Sequence, residues 1–145
     1  MRHKNAVESA KALCVLIADG HDVVRRGLKE ILLDAFPGTV SCETCDGDET
    51  LRKMAGRHFD LVLLDINMPG HRGLTVLRDA RREYPEVPLI VVSVHPEDQY
   101  AKRCMSAGAV AYIRKDRASE ELALAVTSVL GAESQLGAQF GVGTI

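Results

Sequence analysis

Leu61-Val62-Leu63-Leu64 is an apolar run without polar interruption, cut off at Asp65 and followed by Pro69-Gly70. A run of this kind suits a strand buried on both faces, and such a strand needs helices above and below it. The design recurs along the chain. Leu13–Ala18 stops at Asp19, Pro88–Val92 stops at Ser93, and Val110–Ile113 is closed by Arg114-Lys115-Asp116. Between the runs, apolar residues fall at helical spacing: Val24, Leu28, Ile31 and Ala35, then Leu51, Met54 and Ala55, then Leu74, Leu77 and Tyr84. Two later helices rest on Tyr100, Ala101, Cys104 and Met105, and on Leu122, Val126, Val129 and Leu130. Val40, Cys42 and Thr44 alternate with more polar neighbours, which fits an edge strand. Five strands alternating with five helices predict an α/β fold, a flavodoxin-like three-layer sandwich around a parallel sheet of order 2-1-3-4-5.

Cap residues mark the helix starts. Asp22 is read as the N-cap of the first helix, Asp46 and Glu49 as a capping box for the second, and Ser119 as the N-cap of the last, with Glu120 and Glu121 in its first turn. From Gly131 onward the periodic pattern thins into Gly, Ala, Ser and Gln. The expected organisation is a polar extension over 1–11, one domain over 12–131, and a linker or frayed tail over 132–145.

The composition narrows the function. A chain of 145 residues, 46% hydrophobic and 26% charged, holds one domain with its own core. A formal charge of −2, with basic residues spread along the chain, argues against direct DNA binding. Residues 1–11 lack the apolar centre of a secretory leader, and no run is long enough to span a membrane, so a cytoplasmic protein without membrane contact is expected. Cys14, Cys42, Cys45 and Cys104 lie in apolar or strand-like segments and read as small hydrophobes. Cys42 and Cys45 would face opposite sides of a strand, with no second pair to complete a zinc site. His21 and His95 read as solvated loop histidines without a partner at metal-ligand spacing.

In a doubly wound sheet the C-terminal ends of the strands share one edge, where ligands bind. Asp19, Asp65, Ser93 and Lys115 therefore converge. Carboxylate and carbonyl oxygens suit Mg²⁺, Lys and Ser suit phosphoryl oxygens, and a carboxylate held there can be phosphorylated as a nucleophile. A haloacid-dehalogenase-type phosphotransferase would need a second Asp two residues after Asp65, where Asn67 stands. A flavin-binding flavodoxin would need a phosphate-cradling loop after the first strand, where Asp19 and Asp22 would repel phosphate.

Val15–Asp19, Leu63–Gly70, Val91–Ser93 and Gly108–Asp116 together resemble the receiver domain of two-component response regulators, over about residues 13 to 131. Val23–Leu28 and Lys115-Asp116 are most similar to the branch whose receivers precede a LuxR-type helix-turn-helix. The resemblance implies that Asp65 is the phosphoacceptor for a sensor histidine kinase, and that Asp19, Asp65 and the main-chain carbonyl of Asn67 hold Mg²⁺. It implies further that Ser93 and Lys115 meet the phosphoryl group, and that Ser93 and Tyr112 form a switch to a dimerisation surface. DNA is then reached only through a C-terminal domain outside this chain, and the chain is a phosphoprotein of signal transduction and transcription regulation, not an enzyme. One position departs from the pattern: the family has a second acid after Asp19, and here it is Gly20. A lost carboxylate predicts weakened Mg²⁺ binding, and the alternative function is a phosphorylation-independent interaction module.

Overall fold

The apolar runs form β1 (Cys14–Ala18), β2 (Val40–Thr44), β3 (Leu61–Leu64), β4 (Leu89–Ser93) and β5 (Ala111–Arg114). They join in one parallel sheet of order β2-β1-β3-β4-β5, as the alternation of strand and helix predicts. The structure, a computed structural model, describes residues 12–68, 73–95 and 97–137, with the backbone alone over 97–99 and 132–137. The Pro69-Gly70 turn, the extension 1–11 and residues 138–145 lie outside the described residues.

Each strand sends alternate side chains to opposite faces, and both faces are covered. On one face Leu16, Ala18, Val62, Leu64, Leu89 and Val91 pack with residues of α2 (Gly47–Gly56), α3 (Gly73–Glu83) and α4 (Glu97–Ala107), among them Met54, Val76, Leu77, Ala80 and Cys104. On the other, Val15, Ile17, Leu61, Leu63, Ile90 and Val92 pack with Leu28 and Leu32 of α1 (Asp22–Ala35) and Leu122 and Val126 of α5 (Ala118–Gly137). These are the three layers. The central strands β1, β3 and β4 are almost wholly buried, so their end residues are held by the sheet itself.

Several local expectations are corrected. Asp22 is the first residue of α1 and not its cap; His21 occupies the N-cap with no side-chain cap bond, because its ring turns toward Asp19. Asp46 caps α2 as expected, its carboxylate accepting the Glu49 N–H at 2.8 Å, but Glu49 reaches back to the N–H of Cys45. The last helix begins at Ala118, before Ser119, because a 3₁₀ turn over Lys115–Arg117 leads straight into it. It also continues to Gly137, passing Gly131, whose missing side chain costs a helix interior only about 1 kcal/mol. β5 is an edge strand in which Ile113 alone is fully buried, and Val110 lies outside it, 43% exposed. On α4, Ala107 is buried and Met105 exposed.

Candidate functional site

Ala18 pairs with Leu64, so Asp19 and Asp65 leave the sheet abreast of each other on neighbouring strands. Ser93 pairs with Arg114, which brings Lys115 to the same edge from the far side of β4. Asp19 and Asp65 are 1% and 2% exposed. Two buried carboxylates side by side demand a cation, and Lys115 supplies it: Nζ lies 2.8 Å from Asp19 Oδ2 and 3.2 Å from Asp65 Oδ2. Asp19 Oδ2 accepts no directional hydrogen bond, so the ammonium is its compensation. Asp65 Oδ1 accepts the N–H of Asn67 at 3.0 Å, and the Asp65 N–H donates to the Ala18 carbonyl at 2.9 Å. The Asp65 carboxylate is thus fixed at its backbone and at both oxygens.

The loop after β1 folds back on Asp19. Its Oδ1 accepts the N–H of His21 at 2.9 Å and lies 3.1 Å from His21 Nδ1. The imidazole itself is 72% exposed. Arg25 donates to the Asp19 carbonyl at 2.6 Å and to Glu43 at 2.7 Å, tying this loop to β2; the Glu43 hydrogen bond raises the Arg25 guanidinium above its ordinary value. Sequence reasoning missed both residues as parts of the site. Arg25 looks like one more base on a solvated helix face, whereas His21 carried a signal in standing two residues from Asp19. The expectation that His21 has no partner at metal-ligand spacing is overturned: ligand atoms of Asp19, His21 and Asp65 all lie within 4.8 Å of one another.

At the next strand end, Ser93 is fully buried and its Oγ accepts the His95 N–H at 3.1 Å. Tyr112 donates its hydroxyl to the His95 carbonyl at 3.0 Å, and the His95 ring stacks on Tyr100 with centroids 4.1 Å apart. The loop between β4 and α4 is therefore held from one side by Ser93 and from the other by Tyr112. A cavity of about 460 Å³ opens between the β3–α3 loop and α4, lined by Asn67, Met68, Arg78 and Tyr100. One of about 400 Å³ lies at the opposite end of the sheet, around Leu13 and Phe59.

Among known families, residues 15–127 match the response regulator receiver domain. The chain belongs to this family. Relatives of the receiver include a glycerol metabolism activator of Pseudomonas putida, 36% identical over 124 residues, and the response regulator GacA of Pseudomonas aeruginosa, 34% identical over 125 residues. The alignments cover 84% and 86% of this chain but only 56% and 58% of those proteins, so the chain spans little more than half the length of these relatives. A CheY-like receiver from Methanospirillum hungatei superposes with a TM-score of 0.79 at 25% identity, covering 88% of this chain and all of that one. A LuxR-family two-component response regulator from Aurantimonas gives a TM-score of 0.76 at 25% identity, covering 84% and 87%. The likeness to LuxR-family regulators expected from Val23–Leu28 and Lys115-Asp116 is borne out. Receiver domains are regulators that bind Mg²⁺ at an acidic site and interact with histidine kinases, and Asp19 with Asp65 forms such an acidic pair here. Among the described residues, no helix is long and apolar enough to cross a membrane.

Proposed function

We propose that this receiver takes a phosphoryl group from a sensor histidine kinase onto Asp65. The observation that carries the reading is the Lys115 ammonium held 3.2 Å from Asp65 Oδ2, with Ser93 at the adjoining strand end. An Asp65 oxygen attacks phosphorus, the P–N bond to the kinase imidazole breaks, and an acyl phosphate forms on the carboxylate. Lys115 then exchanges carboxylate for phosphoryl oxygen, and the Ser93 hydroxyl gives up the His95 N–H to donate to the same group. Asp19, Asp65 and the Asn67 carbonyl would hold the dication, which supplies positive charge to the incoming phosphoryl oxygens.

Releasing the His95 N–H loosens one of the two ties on the β4–α4 loop, and the other is the Tyr112 hydroxyl. Ser93 and Tyr112 are in this reading the two ends of one switch, and the surface beside Tyr112 is where a second copy of the chain would dock. DNA contact would belong to a separate C-terminal module, and the setting is cytoplasmic. Gly20 favours one rival, a receiver that signals unphosphorylated, because it withholds a carboxylate that would help to hold the dication.

Intact mass after incubation with acetyl phosphate, with Mg²⁺ varied from none to high excess, tests the reading. One phosphoryl group is expected on the parent chain, none on Asp65→Asn, and a lower Mg²⁺ requirement for Gly20→Asp. Addition to Asp65→Asn, or no addition to the parent at any Mg²⁺ concentration, overturns it.

A further inference from the structure

Resting on the reading of Asp19 and Asp65 as a metal-binding pair, we propose that His21 supplies the side-chain ligand that Gly20 lacks, so that the site takes a borderline first-row transition dication in preference to Mg²⁺. The geometry is nearly assembled. Ligands about 2.1 Å from one ion stand about 3.0 Å apart in neighbouring octahedral positions and about 4.2 Å apart in opposite ones. His21 Nδ1 and Asp19 Oδ1 are already 3.1 Å apart, the length of one such edge, and Asp65 completes a group within 4.8 Å.

The three residues differ in freedom in the way a site of this kind requires. Asp19 and Asp65 are buried and fixed, and the His21 backbone is pinned by its N–H on Asp19 Oδ1, while the ring projects into solvent and can turn onto an ion. Lys115 does not occupy this place. It contacts the Oδ2 atoms of Asp19 and Asp65, whereas the imidazole stands at Asp19 Oδ1, so the ammonium and the ion take different edges of the same carboxylate. As a ligand the ring would hold its proton on Nε2 and offer the Nδ1 lone pair.

The donor set decides the metal. Oxygen ligands alone suit Mg²⁺, and an imidazole shifts preference toward Zn²⁺, Fe²⁺ and their neighbours, which bind nitrogen more strongly. The other group of potential ligands among the described residues, Cys45, Asp46 and Glu49, is engaged in capping α2 and competes little.

Co²⁺ and Mg²⁺ are the probes, titrated into tag-free chain by calorimetry, with the visible absorption of Co²⁺ followed in parallel. Co²⁺ is expected to bind at least about tenfold more tightly than Mg²⁺. Its absorption bands should be absent in Asp65→Asn. His21→Gln should weaken Co²⁺ by about tenfold or more and move Mg²⁺ by less than about threefold, so the preference collapses. Binding that depends on Asp65 but is unmoved by His21→Gln, or weakened equally for both ions, overturns the role of His21 and leaves the carboxylate pair standing. No Asp65-dependent binding of either ion overturns both.

Discussion

Gly73→Ala should be among the most damaging small substitutions in this chain. A Cβ built on Gly73 falls well inside contact distance of the Ile66 carbonyl oxygen, Cα and carbonyl carbon. Real contacts of this kind need about 3.2 Å or more, so the backbone at Ile66 must retreat by more than about 1 Å. No flexible side chain is available to yield. Overpacking ordinarily costs about 1–3 kcal/mol, and a backbone neighbour places this site at or above the top of that range. The gain in helix propensity from Gly to Ala, about 1 kcal/mol in a helix interior and less at a first residue, does not offset it. A net loss of about 3 kcal/mol should lower the urea midpoint by more than about 1 M. Ile66 lies between Asp65 and Asn67, so the same shift displaces Asp65, the proposed acceptor, and a misplacement of about 1 Å can slow a reaction by about 100-fold. Gly27→Ala is the control, because its Cβ meets nothing within 4 Å in the middle of α1; it should stabilise by up to about 1 kcal/mol. A Gly73→Ala midpoint within about 0.3 M of the parent, with unchanged acetyl phosphate labelling, would refute the reasoning.

Two further outcomes follow from the buried charges and thiols. Lys115→Met removes the cation from two buried carboxylates and should cost about 3 kcal/mol in urea unfolding; adding Asp65→Asn should recover much of this, and a loss under about 1 kcal/mol would count against the pairing. Burial holds the Cys104 thiol above its ordinary 9.0, so the unfolded chain loses that proton first and stability falls as pH rises past about 9. That decline should be shallower in Cys104→Ala, and equal slopes would show that burial does not shift the thiol.

How much of this was legible in the sequence depends on what sets each feature. β1, β3 and β4 were readable because a strand buried on both faces must be apolar throughout, and the convergence of Asp19, Asp65 and Ser93 then follows from parallel topology. Val110–Ile113 reads the same way but is an edge, since an apolar run does not say how many of its residues have neighbours on both sides. The roles of His21 and Arg25 were illegible for a different reason. Both depend on the path of the loop after Asp19, which turns His21 back on the carboxylate and carries Arg25 over to Glu43, and no periodicity encodes that path. The extension of α5 past Gly131 came from Ala132, Glu133, Gln135 and Leu136, good helix formers that outweigh one glycine.

The ammonium of Lys115 stands 96 positions after Asp19 and 50 after Asp65, just past the last strand of the sheet. A ribosome building this chain delivers both acids well before the base that quiets them. While residues up to β4 have emerged, β1 and β3 can already pair, yet their ends present two adjacent negative charges to each other. Docking of β5 brings up the ammonium that offsets this repulsion, so the charge centre also serves as a latch that favours the completed sheet over a shorter one.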